Sequence, residues 1–294
     1  MLRSTCFIVA ILLISGCSAS YKELKALKTK HPNSFSDYLL EEYKEKAVFE
    51  AEQMHDWNSA GLYSKKALEA FEGKEIKPQK IEYWDLPKEN ISEISHSYQN
   101  LMNIYEEAKT VDPYNLAVAI SSLDCWAEQQ EEKWQTWDID KCKEDFFNAT
   151  HQIYENIVKN EKIKFKENVK EVSESVSVVT KNQNKELMQI IYFDFDETNL
   201  SKVSEDTIKK FIVKNKKLIS NFVIVGHADT RGTKQYNLKL SLKRADTVKN
   251  ILIENGINEK NISILGKGED FLAVETADNV AHPANRRAVI SSSN

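Results

Sequence analysis

The sequence lacks any hydrophobic run long enough to cross a bilayer. The apolar run near its start, Cys6–Ile14, falls well short of the roughly 20 apolar residues that a membrane-spanning helix needs. It follows a basic residue, Arg3, and leads into the small residues Ser15 and Gly16. A basic start, a short apolar core and a small-residue exit are typical of an export signal. We therefore expect the chain to leave the cytoplasm.

A basic excess is also missing. Lys and Arg number 40, Asp and Glu number 45, and the formal net charge is −5. The two signs are mixed along what read as solvated helix faces, without a basic stripe and interleaved aromatic residues. This balance argues against nucleic acid as a partner.

Cysteine is scarce, and two of the four residues lie at the N-terminus. Cys6 is part of the export signal, residues 1–16. Ile14-Ser15-Gly16-Cys17 resembles the bacterial lipobox, which implies that Cys17 is acylated and becomes the first mature residue. A plain secretory signal is the alternative. Two or more lipid chains anchor a protein stably, and Ser18 after the cysteine, in place of aspartate, favours the outer membrane.

Cys125 and Cys142 form an even pair in an oxidising compartment, which predicts a disulfide. A bridge closing a loop of this size would stabilise the fold by ~3 kcal/mol on the chain-entropy model. We place a helix–helix turn between them at Asp138-Ile139-Asp140, and keep buried free thiols as the alternative. No His or Cys partners complete a zinc set, so neither a metal nor another cofactor is expected.

Residues 17–158 have helical spacing. Asp56 can cap a helix over Trp57–Phe71, and a second hairpin is expected from Ile91–Lys109 and Pro113–Trp134. The first hairpin resembles a tetratricopeptide unit, but no clean repeat period appears, so a small helical bundle is the expectation. Aromatic residues near the cysteine pair are expected in its core: Trp126, Trp134 and Trp137.

This helical part offers no catalytic pattern. His55, His96 and His151 are far apart, and no Ser or Cys nucleophile is arranged with them as a triad. We do not expect an enzyme here. Recruitment of an envelope protein partner by the helical domain is an alternative function. Residues 159–186 turn polar and are read as a helical or flexible linker, leaving 187–294 as a second domain.

The run Gly226–Arg244 is the most informative in the chain. It follows an apolar strand, Phe222–Val225, and opens an amphipathic helix. Asp229 then lies in a loop and Arg244 about two turns into the helix. Such supports hold an anion and a cation facing a common gap. A ligand with an ammonium and a carboxylate on one carbon would fit there.

Four sequence blocks occur in order around this run. They are Tyr192-Phe193-Asp194-Phe195-Asp196, then Gly226-His227-Ala228-Asp229 leading into Leu240–Ala245, then Gly266-Lys267-Gly268-Glu269, and Asn285-Arg286-Arg287. Together they resemble the OmpA-like peptidoglycan-binding domain over roughly Met188–Ser292. The main departure is Ala228, where many members carry threonine.

The resemblance implies a fold and a ligand. The fold would be a mixed sheet with helices on one face, so that the whole chain is α+β. The ligand would be peptidoglycan, with Asp229 on the ammonium of meso-diaminopimelate and Arg244 on its carboxylate. Other matching positions would line or brace the pocket: Phe195, Asp196, Asn237 and Arg286. Only one of Arg286 and Arg287 can face the pocket, because neighbouring strand residues point to opposite faces.

Element positions follow from the same pattern. Strands are expected at Ile190–Phe193, Phe222–Val225, Ile262–Leu265 and Arg287–Ser291, and helices at Glu205–Leu218 and Tyr236–Asn255. The predicted function is that of an outer-membrane lipoprotein which binds peptidoglycan noncovalently and ties the membrane to the wall.

A phosphatase motif overlaps the first block. Asp194-Phe195-Asp196-Glu197-Thr198 has the Asp-x-Asp-x-Thr form of haloacid-dehalogenase-type phosphatases, in which the first aspartate is a nucleophile beside magnesium. That fold needs a larger parallel sheet and further downstream residues. We keep it as an unfavoured alternative.

Overall fold

The computed structural model describes residues 19–28, 31–133, 136–172, 187–215 and 221–293, without the side chains of 164–172 and 292–293. The predicted lipidation site, Cys17, lies outside these ranges. Within them, no helix is both long and apolar enough to cross a membrane. The helices are α1 (19–26), α2 (Phe35–Phe49), α3 (Trp57–Phe71), α4 (Lys88–Val111), α5 (Pro113–Glu132), α6 (Thr136–Val172), α7 (Lys202–Asn215) and α8 (Lys234–Glu254). The strands are β1 (Met188–Tyr192), β2 (Asn221–Gly226), β3 (Ile262–Gly266) and β4 (Arg287–Ser293). The chain is therefore α+β, as predicted.

The chain divides into two compact units. The helical unit holds the described residues up to Tyr98 together with Asp112–Thr150. The sheet unit holds Gln99–Val111 and the described residues from His151 onward. The domain boundaries at 158 and 186 stay predictions. In the predicted linker, residues 159–172 continue α6, and 173–186 lie outside the described residues.

Polar caps define the helices of the first unit. Asp56 accepts hydrogen bonds from the main-chain N–H groups of Asn58 and Ser59, at 2.7 and 3.3 Å, and so begins α3 as expected. Asp112 accepts from Asn115 N–H at 3.2 Å at the start of α5, where Pro113 occupies the first turn. The assignment of these helices to tetratricopeptide-like hairpins stays a prediction.

The predicted disulfide joins Cys125 and Cys142, whose Cα atoms are 5.7 Å apart. The predicted turn at 138–140 is wrong, because α6 already begins at Thr136. Helix α5 ends at Glu132, and Lys133 after it has a left-handed conformation (φ 58°). Trp126 is buried, as expected. The expectation that Trp137 lies in the core is wrong, because its side chain is 61% exposed in the first turn of α6. Trp134 lies outside the described residues.

Buried acidic side chains are the main electrostatic feature of the helical unit. Glu50, in a π-helical turn after α2, and Glu128 in α5 are both 2% exposed. Their carboxylate oxygens and those of Asp56 lie within 4.8 Å of one another, a set that could share protons or hold a hard cation. Burial, together with the negative charges of Glu128 and Asp56, raises the pKa of Glu50 to about 8. Glu132 follows, with a pKa raised to about 7, mainly by burial.

The helical unit should lose stability as the pH rises. The folded-state pKa of Glu50 lies above the ordinary value of 4.5, so the folded chain holds this proton more tightly than the unfolded chain. The resulting stability is full below the unfolded pKa and is lost as pH rises through about 8. We expect a higher urea midpoint at pH 5.5 than at pH 8.5, measured by tryptophan fluorescence. That signal reports this unit, because the chain's 5 tryptophans all lie between positions 57 and 137.

Glu50→Gln should flatten this pH dependence, because the glutamine needs no proton. Glu45→Gln, at an exposed position of the preceding helix α2, is the matched control and should leave the dependence unchanged. Identical pH profiles for Glu50→Gln and the unaltered chain would contradict the assignment.

The sheet of the second unit is mixed, as the resemblance implies. Its strand order is β1-β4-β2-β3. The central strand β4 pairs antiparallel with both β1 and β2, whereas β3 is parallel to β2. All four strands and both helices expected here are present, with ends shifted by a few residues.

The core of this unit lies between the sheet and two helices. Helices α7 and α8 cover one face, and their apolar side chains pack against strand residues that point to that side: Ile191, Phe222, Ile224, Ala288 and Ile290. Tyr192 points to the opposite face, because side chains alternate along a strand. There its ring contacts Tyr154 and His151 of α6, with centroids 5.1 and 5.5 Å away.

Gly226 permits the close approach of α8 to the end of β2. A Cβ atom at this position would lie 1.9 Å from the main-chain oxygen of Ser241, far inside van der Waals contact. Ser241 in turn accepts a 2.8 Å hydrogen bond at its Oγ from Gly268 N–H. The glycine therefore sets the distance between α8 and the strand end that precedes Asp229.

Gly226→Ala should destabilise the sheet unit, because a methyl group would have to displace helix backbone. Overpacking of a core costs about 1–3 kcal/mol or more. The measurement is the free energy of unfolding from urea titration followed by far-UV circular dichroism. Ser263→Ala, at an exposed position of β3, introduces no such contact and is the comparison. Equal stability of the two variants would refute the packing argument.

Candidate functional site

A cavity of about 240 Å³ lies at the carboxyl end of β2, beside the first turns of α8. All six predicted site residues line it: Phe195, Asp196, Asp229, Asn237, Arg244 and Arg286. They come from four separate stretches of chain, and the fold brings them together. Their role in binding a ligand is not tested by this placement and stays a prediction.

The cavity follows from the order strand, loop, helix. Strand β2 ends at Gly226, and the loop from His227 leads to Thr233, whose hydroxyl accepts from Tyr236 N–H at 3.2 Å and caps α8. The loop carries Asp229, and α8 carries Asn237 and Arg244. Side chains near the start of a helix and in the loop before it face the same gap.

Asp229 is the buried anion of the site and is 4% exposed. Its Oδ2 accepts from Arg286 Nη1 at 3.1 Å and from the main-chain N–H of His282 at 3.3 Å. Its Oδ1 accepts from Arg231 N–H, also at 3.3 Å. The carboxylate is therefore fixed by donors from two loops, and its described ion pair is with Arg286.

Arg244 is held in place by main-chain carbonyls. Its Nε donates to Glu197 O at 2.9 Å, Nη1 to His227 O at 3.0 Å and Nη2 to Asp194 O at 3.1 Å. A guanidinium has five N–H groups, and each terminal nitrogen carries two. The bonds described use one on each nitrogen, which leaves a second N–H on both terminal nitrogens for a ligand carboxylate.

The environment of Arg244 disfavours its positive charge and lowers its pKa. Burial and the nearby charge of Arg286 lower its pKa, the charge of Asp229 opposes them, and the result is a pKa of about 9. The side chain still carries its charge at neutral pH. The three most buried ionisable groups lining the cavity, Arg244, Arg286 and Asp229, sum to one positive charge. A bound carboxylate would neutralise this excess.

Arg286 and Arg287 have different surroundings, although Arg286 precedes β4 and alternation along a strand does not separate the two. Arg286 lines the cavity and binds Asp229. Arg287 instead donates to the main-chain oxygen of Phe271 at 3.0 Å and supports a loop. Of the two arginines, Arg286 alone is among the residues that line the cavity, and its role in binding a ligand stays a prediction.

Asn237 joins three parts of the site. Its Nδ2 donates to Asp229 O at 3.1 Å and to Glu269 Oε2 at 2.7 Å. The residue is 1% exposed, so both bonds are shielded from water. Glu269 belongs to the third sequence block, and the contact explains how that distant block supports the pocket.

The turn after β1 forms one wall of the cavity. Asp196 has a left-handed conformation (φ 58°), which aspartate tolerates better than most residues. Its Oδ1 accepts a hydrogen bond from the hydroxyl of Tyr236. Above Phe195 lies the guanidinium of Arg231, 4.7 Å from the ring centroid. An aromatic face and three exposed polar side chains, those of Asp196, Arg231 and Tyr236, thus border the opening.

The sequence-based list misses four lining residues: Arg231, Gly232, Tyr236 and Leu240. Gly232 and Tyr236 lie inside the second sequence block. Their position in the sequence therefore indicated that they lie near the pocket, but it did not indicate what they do there. Arg231 directly follows Asp229 and Thr230 in the same loop, which is the signal that could have found it. His227 bonds a main-chain oxygen, that of Asp270, at 3.3 Å, in keeping with a loop-positioning role.

The phosphatase alternative gains no support from this geometry. Asp194 and Asp196 follow β1, an edge strand that pairs antiparallel with its neighbour in a four-stranded sheet. The motif would require a larger, parallel sheet. The main-chain oxygen of Asp194 instead serves to hold Arg244.

Comparisons with known proteins match part of the sheet unit. Residues 192–286 match the OmpA family. The peptidoglycan-associated lipoprotein of Pasteurella multocida is 33% identical over 102 residues, which are 34% of this chain and 68% of that protein. Outer membrane protein A of Buchnera aphidicola is 37% identical over 110 residues, 36% of this chain and 32% of that protein.

A solved structure, the peptidoglycan-associated lipoprotein from Burkholderia pseudomallei, is 25% identical and is covered over 89% of its chain and 35% of this one, with a TM-score of 0.31. This chain thus spans about a third of the length of the Buchnera protein and about two thirds of the Pasteurella protein. The range that matches the family, 192–286, contains all six predicted residues that line the cavity. The chain belongs to the OmpA family.

Proposed function

We propose that this protein binds peptidoglycan noncovalently, through the zwitterionic end of meso-diaminopimelate, and makes or breaks no bond. Membership of the OmpA family and the similarity to peptidoglycan-associated lipoproteins support this ligand. The observation that carries the proposal is the joint opening of Asp229 and Arg244 onto one small cavity.

The charges of the cavity suit a ligand that carries both signs. Arg244 would receive the carboxylate on its two terminal nitrogens, which can bind both oxygens at once. Arg286 lies close enough to affect the pKa of Arg244 and adds to the positive field. The ammonium would lie near Asp229 Oδ1, whose described partner is a single main-chain N–H at 3.3 Å.

The residues at the opening of the cavity could contact the rest of the peptidoglycan peptide that carries diaminopimelate. Phe195 offers an apolar face, and Asp196, Tyr236 and Arg231 offer polar groups at the opening. Such a mixture of apolar and polar surface is typical of ligand sites that fix orientation with few groups.

The lipid anchor completes the proposal. With Cys17 acylated, the protein would hang from the outer membrane by its N-terminus and face the periplasm. Wall binding by the sheet unit would then tie that membrane to the wall. Recruitment of an envelope protein by the helical unit stays a separate prediction.

Replacing the buried anion should abolish wall binding. Asp229→Asn keeps the shape of the side chain and removes the charge that would bind an ammonium. Removing one partner of a buried charged contact typically costs ~2–5 kcal/mol, about 30-fold or more in Kd. The measurement is co-sedimentation of the full chain with purified sacculi. Asp246→Asn, an exposed aspartate of α8, should pellet like the unaltered protein.

The cation can be tested in the same assay. Arg244→Lys keeps the positive charge but cannot bind a carboxylate with two nitrogens, and we expect a loss of comparable size. Lys243→Ala, the exposed neighbour, is its control. Undiminished pelleting of both Asp229→Asn and Arg244→Lys would sink the proposal.

The protein should distinguish wall types. A wall with L-lysine in place of diaminopimelate offers an ammonium but no neighbouring carboxylate, so the excess positive charge of Arg244 and Arg286 would stay uncompensated. We expect strong binding to diaminopimelate-type sacculi and weak binding to lysine-type sacculi. Free meso-diaminopimelate should compete with the former, whereas equal binding to both wall types would exclude recognition of the zwitterion.

A further inference from the structure

Part of helix α4 contacts the pocket from behind. The segment Gln99–Val111 belongs to the sheet unit, although it lies far outside the residues that match the family. Asn100 in this segment is 4% exposed. Its Oδ1 accepts from Arg286 Nη2 at 2.8 Å, and its Nδ2 donates to Asp194 Oδ1 at 3.1 Å.

A second contact lies about two turns further along the same helix. Glu107 Oε2 is 3.4 Å from Nε2 of His282. Arg286 and His282 are the two residues that donate to Asp229 Oδ2. The segment therefore supports both donors of that oxygen.

The three nitrogens of Arg286 are each tied to a different stretch of chain. Nε donates to Phe193 O at 3.3 Å, Nη1 to Asp229 and Nη2 to Asn100. Arg286 is 1% exposed, so water cannot replace a lost partner. Without the amide of Asn100, the guanidinium would have a buried N–H without an acceptor and could rotate away from Asp229.

Asn100 is also linked to Arg244, through a residue that holds Arg244 in place. Its partner Asp194 provides, through its main-chain oxygen, an acceptor for Arg244 Nη2. One side chain thus links the stretches that position Arg286 and Arg244. Because an amide both donates and accepts, it can bridge a carboxylate and a guanidinium that lie side by side.

We infer that Asn100 is a positioning residue of the peptidoglycan pocket, supplied by a helix outside the OmpA-like sequence. It acts by fixing the guanidinium of Arg286, and through it the carboxylate of Asp229. The inference rests on the proposed function. The side-chain amide of Asn100 does this by accepting a hydrogen bond from Arg286 and donating one to Asp194.

The test uses the full chain and a soluble muropeptide that carries meso-diaminopimelate, with Kd measured by calorimetry. Asn100→Ala should raise Kd by about tenfold or more, the effect of losing a hydrogen bond to a charged group. Asn103→Ala, at an exposed position of the same helix, should leave Kd unchanged.

An exchange of groups separates positioning from general stability. N100D alone places two carboxylates in contact, at positions 100 and 194, and should weaken binding. N100D combined with D194N restores the pattern, since the carboxylate at position 100 accepts from Arg286 and from the amide at position 194. We expect Kd of the double variant to return to within about threefold of the unaltered value, near the spread expected for a preserved hydrogen bond.

The outcomes distinguish the two proposals. Retained binding in Asp229→Asn would reject the proposed ligand site itself. Loss in Asp229→Asn with full binding in Asn100→Ala would overturn the role of Asn100 alone. Weak binding of Asn100→Ala that the N100D/D194N exchange does not restore would show a structural role without positioning, and would overturn it as well.

Discussion

The pocket depends on the buried ion pair between Asp229 and Arg286. A carboxylate that cannot reach water is costly unless an opposite charge and further donors surround it, and Asp229 has an arginine and two main-chain N–H groups. The pair joins the loop after β2 to the residue before β4. Arg244 then stands beside it as a second buried cation, held by carbonyl dipoles rather than by an acid of its own. The pocket therefore has one buried positive charge more than it has buried negative charges. Burying this charge costs free energy in folding, and under the proposed function a ligand carboxylate that neutralises it would bind more tightly for that reason.

Much of this site could be predicted from the sequence because its main parts are local. A strand, a polar loop and a helix follow one another between Phe222 and Arg244, and their order alone places Asp229 and Arg244 on a common gap. Alternation along a strand does not account for the separation of Arg286 from Arg287, because Arg286 lies in the turn before β4. The ion pair between Asp229 and Arg286 could not be predicted in this way. It joins residues 57 positions apart and requires that β4 lie next to β2, which is a property of the topology.

Elsewhere the sequence was informative about burial but not about partners. Asn100 precedes Leu101 on a buried face of α4, and a polar residue there must find a hydrogen bond, yet nothing local indicates Arg286 as its partner. The misplaced turn near Asp138 has another cause. Asp138-Ile139-Asp140 reads as a turn because aspartate favours turns, but aspartate is equally at home in the first turn of a helix, where it meets the positive end of the dipole. Helix α6 begins at Thr136, so that Asp138 lies in its first turn, where Trp137 is exposed.

The place of β4 in the sheet determines when during synthesis the pocket can form. This strand is the last of the described strands to leave the ribosome, yet it lies between β1 and β2 and provides the edge that each of them needs. Until it arrives, β1 has no neighbour, Arg286 is absent and Asp229 has no counter-ion. A chain in which β4 has not yet joined the sheet therefore has an incomplete pocket. Under the proposed function, peptidoglycan binding would begin only after this central strand has taken its place.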